Sequence, residues 1–328
     1  MLAYTVRRIL VSVPVLIAST FVVFLVVVNS GDPVANYATS RQPAPNRAAV
    51  AAFARRLHAD QPAVERYWNW ITGVLHGDFG PSVQTNLNIG HDLFTRFEVT
   101  VTLVAGAMAV ALVLALVFGV FSAIRQYTAA DYSITFVGFL FLAMPVFWFA
   151  VLLKQAGVWF NRRTGSQFLG TIGEKSSYLE VDTPWHQFTD RVGHLVLPVI
   201  TLALVHFASW TRYTRASMLE VLGSDYVRLA RAKGLRRRRV LTRHALRTAL
   251  IPLVTVTALD IAGILGGAVI TETIFQWHGM GEMLVQSAQT VDVYRLMAWL
   301  LLSAVVVIVF NLAADLLYAV LDPRIRYD

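Results

Sequence analysis

Six long apolar windows constrain this chain more than any other feature of its sequence. A helix needs about 20 apolar residues to cross a hydrocarbon core of roughly 30 Å, and six windows reach that length. They are Ile9–Val28, Val99–Ile124, Tyr132–Leu153, Val192–Thr211, Thr248–Thr271 and Leu296–Leu321. Their continuous Leu, Val, Ala and Phe runs favour helices over the alternating strands of a membrane barrel. The sequence therefore predicts an all-α, polytopic membrane protein with six transmembrane helices.

The composition agrees with this prediction and excludes other classes. Of 328 residues, 56% are hydrophobic and 15% are charged, whereas soluble domains average about 45–50% and about 25%. The chain has no cysteine, which excludes a disulfide scaffold, a Cys-ligated metal site and a Cys nucleophile. The first window is longer than the apolar region of a cleaved signal peptide, so we expect it to remain as a membrane anchor.

The distribution of Lys and Arg predicts the orientation, because cytoplasmic loops retain positive charge. The whole chain carries +8, but the segment 212–247 alone has 11 Lys and Arg against Glu220 and Asp225. Placing this loop, the chain start, the short loop Arg125–Asp131 and the tail after Asp322 on the cytoplasmic side gives an N-in, C-in protein of the cytoplasmic membrane. The remaining loops then face outward.

A polar region of two short amphipathic helices follows the first span. Apolar residues recur there at helical spacing, as Val50, Phe53 and Leu57 and again as Val64, Trp68, Ile71 and Leu75. It is interpreted either as a cap on the membrane, with Trp68 and Trp70 at the headgroups, or as a platform for an extracytoplasmic partner. The chain thus divides into a first span, 1–28, an extracytoplasmic helical region, 29–96, and a five-helix core, 97–328.

The basic loop 212–247 contains a short predicted helix. Ser224 or Asp225 can cap its start, and Gly234 suits a left-handed stop. One side carries Tyr226, Val227, Leu229 and Ala230, and the other carries Arg228, Arg231 and Lys233. A helix of about ten residues is marginal alone in water, so it must dock. Small residues at Ala230, Ala232 and Gly234 would let a cytoplasmic protein approach closely.

The run Arg236–Arg239 has three interpretations. It can fix topology without any partner, or it can bind anionic lipid at about 1 kcal/mol per charge. A nucleic-acid site is disfavoured, because the aromatic stacking residues of such sites are missing.

Six motifs in order give the chain a resemblance to permease subunits of the dipeptide/oligopeptide class of ATP-binding cassette importers. The motifs are Asp60–Pro62, Gly77–Gly80, Met144–Trp148, Asp225–Leu235 with Arg243–Pro252, Glu272–Phe275 with Gly279–Gly281, and Asp315–Tyr318 with Leu321–Arg324. One departure concerns the Glu-Ala-Ala start of the general importer loop, where this chain has Arg228, Leu229 and Ala230. The departure affects the role of a leading Glu and not the identity of the loop.

The resemblance implies a type I importer transmembrane fold with a helical insertion after the first span. It also implies that helix 224–234 sits in a groove of an ATPase subunit and couples ATP hydrolysis to transport. The implied coupling residues are Asp225, Tyr226, Arg228, Ala230, Ala232, Lys233, Gly234 and Leu235. Peptides are the implied cargo, with haem, glutathione or a metal chelate as alternatives.

The resemblance further implies the partners. A second, similar permease subunit would form the other half of the pathway, one or two ATPase subunits would bind ATP and Mg, and an extracytoplasmic binding protein would deliver substrate. This chain has no Gly-x-x-x-x-Gly-Lys-Ser/Thr loop. We therefore expect a non-catalytic subunit that holds no cofactor and binds no nucleic acid.

Four residues within or beside the apolar windows are candidates for the pathway or a gate. Asp260, in the middle of span five, would either line the pathway near a peptide amino group or make a structural hydrogen bond. Glu272, Gly279 and Gly281 lie before the last span, where the glycines would allow a tight re-entrant turn and so a gate.

We assign no chemical role to the remaining histidines and prolines of the windows. His194 and His206 are too far apart along one helix to bind one metal, and we expect them to hydrogen-bond to other helices. Pro145 and Pro198 are expected to kink their spans. A membrane-embedded enzyme and a secondary transporter are the rival classes, but neither paired catalytic residues nor an internal repeat of spans is present.

Overall fold

The computed structural model describes residues 2–40, 45–176 and 183–321, and the regular structure in those ranges is helical. The predicted cytoplasmic tail after Asp322, with Arg324, lies outside the described residues. The helices are α1 (Leu2–Ser30), α2 (Pro33–Ser40), α3 (Arg47–Arg56), α4 (Ala63–Val74), α5 (Ile89–Ile124), α6 (Ala129–Ala143), α7 (Val146–Thr164), α8 (Pro184–Leu222), α9 (Asp225–Ala232), α10 (Arg237–Arg239), a π-helical segment (Val240–Ala245), α11 (Leu246–Leu259), α12 (Ile261–Phe275), α13 (Met280–Gln289) and α14 (Val293–Leu321).

Six stretches of the described chain can span a membrane, as the sequence predicts. Four are single helices in α1, α5, α8 and α14, and two are bent pairs. The pair α6 and α7 bends by 106° and the pair α11 and α12 by 52°. The first bend falls at Pro145, because proline lacks an N–H and keeps the preceding residue, Met144 with ψ 129°, out of the helical region. Helix α8, in contrast, continues through Pro198.

The chain packs into two units. The N-terminal unit contains Thr5–Thr100 and His278–Ile308, and the central unit contains Val101–Trp277 with the two chain ends. In the N-terminal unit, helices α3 and α4 correspond to the two predicted amphipathic helices. Trp68 is half exposed, but Trp70 is buried beside Phe24 and Tyr67. The expectation that both indoles lie at the headgroups is wrong for Trp70, which packs in the core of its unit.

The central unit is built around α8, which contacts α6, α7, α11 and α12. By hydropathy α8 is the least apolar of the four single spans, yet it is the most buried of them. The two facts have one cause, since a helix surrounded by protein does not need a lipid-facing apolar surface. Close approach to α8 occurs at Gly119 of α5 and Gly157 of α7, where an added Cβ would lie 2.6 Å from Thr214 and Leu197 respectively.

Candidate functional site

The predicted short helix of the basic loop is α9, Asp225–Ala232. Ser224 occupies the extended N-cap position, but its hydroxyl donates to the Val221 carbonyl and not to α9. Asp225 is exposed and pairs with exposed Arg228. Gly234 ends the turn with φ +76°, and nothing lies within 4 Å of the position of its missing Cβ. Glycine is therefore favoured here by backbone conformation and not by crowding.

The two apolar sides of α9 have different environments. Val227 and Ala230 are 0% and 6% exposed and pack inside the chain. Tyr226 and Leu229 are 44% and 55% exposed and lie one turn apart on the adjoining face. Ala230 thus serves the chain's own packing, so its small size does not face a partner.

The remaining predicted residues of this segment are accessible to a partner. Ala232, Lys233 and Gly234 are exposed, and Leu235 is half-buried. The Leu235 amide N–H donates to the Ala230 carbonyl at 3.4 Å, which ties the segment after Gly234 back onto α9.

The buried side of α9 belongs to a compact apolar cluster. It joins the end of α5, the end of α8, α9, the π-helical segment and α11, through Ala123, Met218, Val221, Val227, Ala230, Val240, Ala245 and Ala249. Because protein interiors are close-packed, a force applied to α9 reaches α8 and α11 directly. This cluster, called the joint below, can therefore transmit movement between α9 and the helices that it contacts.

A basic surface adjoins this joint. Arg236–Arg239 are all exposed, and no carboxylate of the described residues lies within 4.0 Å of their guanidinium groups. A cavity of about 430 Å³ lies beside α9, with Arg231 and Arg237 on an otherwise mostly apolar wall. The structure is compatible with both the topogenic and the lipid-binding interpretation of the arginines.

An ion pair between a buried carboxylate and a partly exposed arginine joins three helices next to the joint, and sequence reasoning missed it. Arg215 of α8 donates from Nε and Nη2 to the two carboxylate oxygens of Asp131 in α6, each at 2.8 Å. Ser122 of α5 and the Tyr127 N–H donate to the same carboxylate. The residues are 84 positions apart, so no local pattern signals the pair. An isolated Asp at the start of an apolar window was the available clue.

Asp260 lies at the bend between α11 and α12. The buried indole of Trp210 in α8 donates from Nε1 to Asp260 Oδ2 at 2.6 Å, and the carboxylate is partly accessible. The His206 ring lies 5.6 Å from the Trp210 ring, centroid to centroid. Asp260 therefore makes the structural hydrogen bond that was one of its two predicted roles. Its other predicted role, lining the pathway, stays a prediction.

The loop before the last span is more helical than expected. Glu272 is fully buried in α12, which ends at Gln276 with φ +55°. Gly279 is the extended N-cap of α13, and Gly281 is buried within that helix. The expectation that these two glycines form a tight turn is wrong, because the left-handed residue is Gln276. A role as a gate stays a prediction.

His194 also differs from expectation. Its Nδ1 lies 2.9 Å from the carbonyl oxygen of Asp190, one turn earlier in the same helix. This bond is made within α8 and not to another helix. Its ring also fills the space beside Gly170, where an added Cβ would lie 2.3 Å from the imidazole.

Charged residues of the N-terminal unit form a second network that the sequence did not predict. Buried Arg295 donates to Asp92 at 2.7 Å, and Arg96 donates to Asp92 and to Glu282 at 2.7 and 2.8 Å. Burial raises the pKa of Glu282, but the hydrogen bonds from Arg96 and His278 outweigh it and hold that pKa below its ordinary value. Glu282 is therefore ionised at neutral pH and holds α13 against α5.

Comparisons with known families and proteins agree with this geometry. A family described as binding-protein-dependent transport system inner membrane component matches residues 115–327, and its N-terminal companion matches residues 1–104. The oligopeptide transport system permease protein AppB of Bacillus subtilis is 38% identical over 100% of both chains. OppB of Mycobacterium tuberculosis is 39% identical over 99% of both chains. The dipeptide permease protein DppB of Escherichia coli is 37% identical over 100% of this chain and 99% of its own.

A solved structure supports the fold. The MetNI methionine ABC transporter in an inward-facing conformation aligns with a TM-score of 0.53 at 14% sequence identity. The alignment covers 70% of this chain and 96% of the transporter chain. At that identity the likeness concerns the fold alone.

Proposed function

The chain belongs to the family of binding-protein-dependent transport system inner membrane components, and from that premise we propose that it forms half of a peptide pathway across the cytoplasmic membrane. Members of this family are non-catalytic permease subunits of importers. Three relatives matched over nearly their whole length are named as oligopeptide or dipeptide permeases, which supports peptides as cargo. No feature of the described residues favours haem, glutathione or a metal chelate instead.

In the proposed importer this chain works with other subunits. A second permease subunit completes the pathway, one or two cytoplasmic ATPase subunits bind ATP and Mg, and an extracytoplasmic binding protein delivers the peptide. This chain supplies no cofactor of its own. Its task is to convert movement of the ATPases into movement of its membrane helices.

One observation carries the coupling part of the proposal. Helix α9 is anchored by buried Val227 and Ala230 and presents Tyr226 and Leu229 outward. Half-exposed Tyr and Leu side chains on a short, well-anchored helix are suited to a protein interface, where aromatic residues are enriched. Arg228, Arg231 and Lys233 are exposed on the same short segment and favour an acidic groove on the partner.

The mechanism follows from the packing beneath α9. When the ATPase subunits move, α9 is displaced with them, and its buried side displaces the ends of α8 and α11. The Asp131–Arg215 pair carries the same displacement to α5 and α6. Packed interfaces of this kind shift as rigid bodies between discrete arrangements, which would open and close the pathway.

The test is ATP-driven uptake of a short peptide by the assembled importer in proteoliposomes, with binding protein present. The double variant Tyr226→Ser with Leu229→Ser removes the exposed pair and leaves the buried anchors intact. We expect uptake to fall at least tenfold. Stimulation of ATP hydrolysis by loaded binding protein should disappear, while the amount of inserted permease stays constant.

The matched control is Tyr127→Asn, which removes another exposed tyrosine side chain but keeps the backbone N–H that donates to Asp131. Its uptake should equal that of the wild type. Wild-type uptake in the double variant would exclude α9 as the coupling element. Absence of peptide uptake by the unmodified importer would exclude peptides as cargo.

A further inference from the structure

The extracytoplasmic part of the N-terminal unit contains a cavity of about 410 Å³. Its walls come from the end of α1, the start of α2, the end of α3, the start of α4 and the start of α14. Most of the wall is apolar, and three charged residues line it: Arg66, Asp32 and Asp60. A volume of this size lies within the range of about 300–1,000 Å³ that is typical of small-molecule sites.

Arg66 is the unusual member of this wall. Its side chain belongs to a residue that is only 7% exposed, and its Nε–H donates to the Tyr294 hydroxyl at 3.5 Å, the outer limit for a hydrogen bond. Within the described ranges no carboxylate lies within 4.0 Å of its guanidinium, and its terminal nitrogens make no hydrogen bond. The rings of Phe24 and Tyr294 lie 5.9 and 5.8 Å from its central carbon.

Two other arginines of the same unit have carboxylate partners. Buried Arg295 is paired with Asp92 and Arg96 with Asp92 and Glu282, at 2.7 to 2.8 Å. Arg56 donates from Nη2 to the Ser82 carbonyl at 2.7 Å, although its buried Nε has no hydrogen-bond partner. The unit therefore pairs two of its arginines with carboxylates, whereas Arg66, which lines the cavity, has no such partner among the described residues.

A guanidinium held in this way is suited to a carboxylate. Burying a cation is costly unless it is paired and hydrogen-bonded, and the two aromatic rings supply only part of that pairing. The planar, forked N–H groups of Arg match the two oxygens of a carboxylate. Asp32 and Asp60 are exposed where they line the cavity, so their charges favour a cationic group nearer its mouth.

We propose that this cavity binds a short zwitterionic peptide, with Arg66 donating to its free carboxylate and Asp32 and Asp60 attracting its amino group. The proposal rests on the proposed function, because it takes a peptide as the cargo. It adds a peptide site on the permease itself, separate from that of the binding protein. The site would recognise the charged ends common to all short peptides rather than particular side chains.

The test measures equilibrium binding to the assembled importer in lipid nanodiscs, without binding protein and without ATP. The probes are dialanine, dialanine amide and N-acetyl-dialanine, titrated by calorimetry. We expect saturable binding of dialanine and at least tenfold weaker binding of the amide, which lacks the carboxylate. N-acetyl-dialanine should bind more weakly than dialanine, and Asp60→Asn should reduce that difference.

The variant Arg66→Gln should remove the preference for the free acid over the amide. The matched control is Arg55→Gln, an exposed arginine of α3 that does not line the cavity, and it should keep the preference. The comparison of acid and amide in the wild type needs no variant, so it holds even if Arg66→Gln fails to fold.

Equal binding of acid and amide in the wild type would overturn the inference, as would an unchanged preference in folded Arg66→Gln. If the same purified importer, reconstituted in proteoliposomes, still imports dialanine when binding protein and ATP are added, the proposed function survives and only the site is excluded. If it imports no peptide, the proposed function itself fails.

Discussion

At the scale of single residues, the joint depends on one backbone conformation. Gly234 has φ +76° and open space around its Cβ position. The left-handed region costs a residue with a Cβ roughly 1–2 kcal/mol, and Asn tolerates it better than a β-branched residue. The end of α9 is therefore sensitive to backbone preference and insensitive to side-chain volume.

We predict that Gly234→Val inserts normally but lowers ATP-driven peptide uptake about 5- to 30-fold, the factor that corresponds to 1–2 kcal/mol. The matched variant Gly234→Asn should retain most of the uptake, because Asn adopts positive φ. Equal uptake by the two variants would show that the conformation of Gly234 does not control coupling.

The joint also depends on the ion pair between Asp131 and Arg215. We predict that Arg215→Met lowers the free energy of unfolding by about 1–3 kcal/mol, because it leaves the buried Asp131 carboxylate without its partly exposed cation. The double variant Asp131→Asn with Arg215→Met should recover most of this loss, since the uncompensated charge is gone.

The measurement is chemical or thermal unfolding of the purified chain in detergent. Arg212→Met is the control on the preceding turn of α8, where an exposed arginine lies over the Phe139 ring. The Arg212→Met change should lower the free energy of unfolding by no more than about 1 kcal/mol. A similar loss in both variants, or no recovery in the double variant, would contradict the assignment of a stabilising ion pair.

At the scale of elements, periodicity predicted helices well where one face is apolar. The spacing of Val50, Phe53 and Leu57 located α3, and the later apolar repeat located α4 to within a residue or two. Helix α2 was missed because its eight residues are too few for an apolar repeat to extend over more than one turn. Helix α13 was missed because Gly279 and Gly281 were interpreted as turn residues, whereas the turn depends on a left-handed Gln276 that no sequence rule favours.

Of the two bends within spans, the sequence predicted one and did not predict the other. Proline disfavours a helix interior, so the sequence predicted the bend at Pro145, but the same rule also predicted a kink at Pro198, where α8 continues. The 52° bend at Asp260 was not predicted, because no proline marks it. Its hydrogen bond from Trp210 joins residues 50 positions apart, and local patterns carry no information about such a contact.

Contact between α5 and α8 depends on the absence of a side chain at Gly119. We predict that Gly119→Ala lowers the free energy of unfolding by about 1–3 kcal/mol, the usual range for overpacking. The new Cβ would lie 2.6 Å from Thr214 Cβ and 3.0 Å from the Thr211 carbonyl oxygen. The measurement is thermal unfolding of the purified chain.

The control is Gly263→Ala in α12, where nothing lies within 4 Å of the added Cβ. It should leave the chain as stable or more stable by about 0.5–1 kcal/mol, because Ala favours a helix over Gly. Destabilisation of both variants to the same degree would show that helix packing at Gly119 is not the cause.

At the scale of the whole molecule, charge distribution predicts the topology. We expect a reporter fused after Arg238 to be cytoplasmic and one fused after Glu174 to be external, because segment 212–247 carries a net +9 from 11 basic and two acidic residues. An enzyme that is active only outside the cytoplasm, fused at each position, provides the measurement. Activity after Arg238 and none after Glu174 would reverse the orientation.

Most of the architecture was accessible from the sequence, whereas the contacts that stabilise it were not. Apolar length predicted six spans, and ordered motifs predicted the family. The grouping of α1 with region 29–96 and with α13 depends on long-range contacts, such as the Tyr67 hydroxyl 2.8 Å from Thr20 Oγ1. Contacts of this kind arise from the packed fold and have no signature in a single sequence.

The length of α8 has a geometric consequence. Its 39 residues form one helix of about 58 Å at a rise of about 1.5 Å per residue, nearly twice the thickness of the hydrocarbon core. A rod of that length, pivoting at one end by about 5°, carries its other end sideways by about 5 Å. Since the C-terminal end of α8 packs on α9, the proposed displacement of α9 would give the far end of α8 a stroke comparable to the width of a peptide chain, without unwinding the helix.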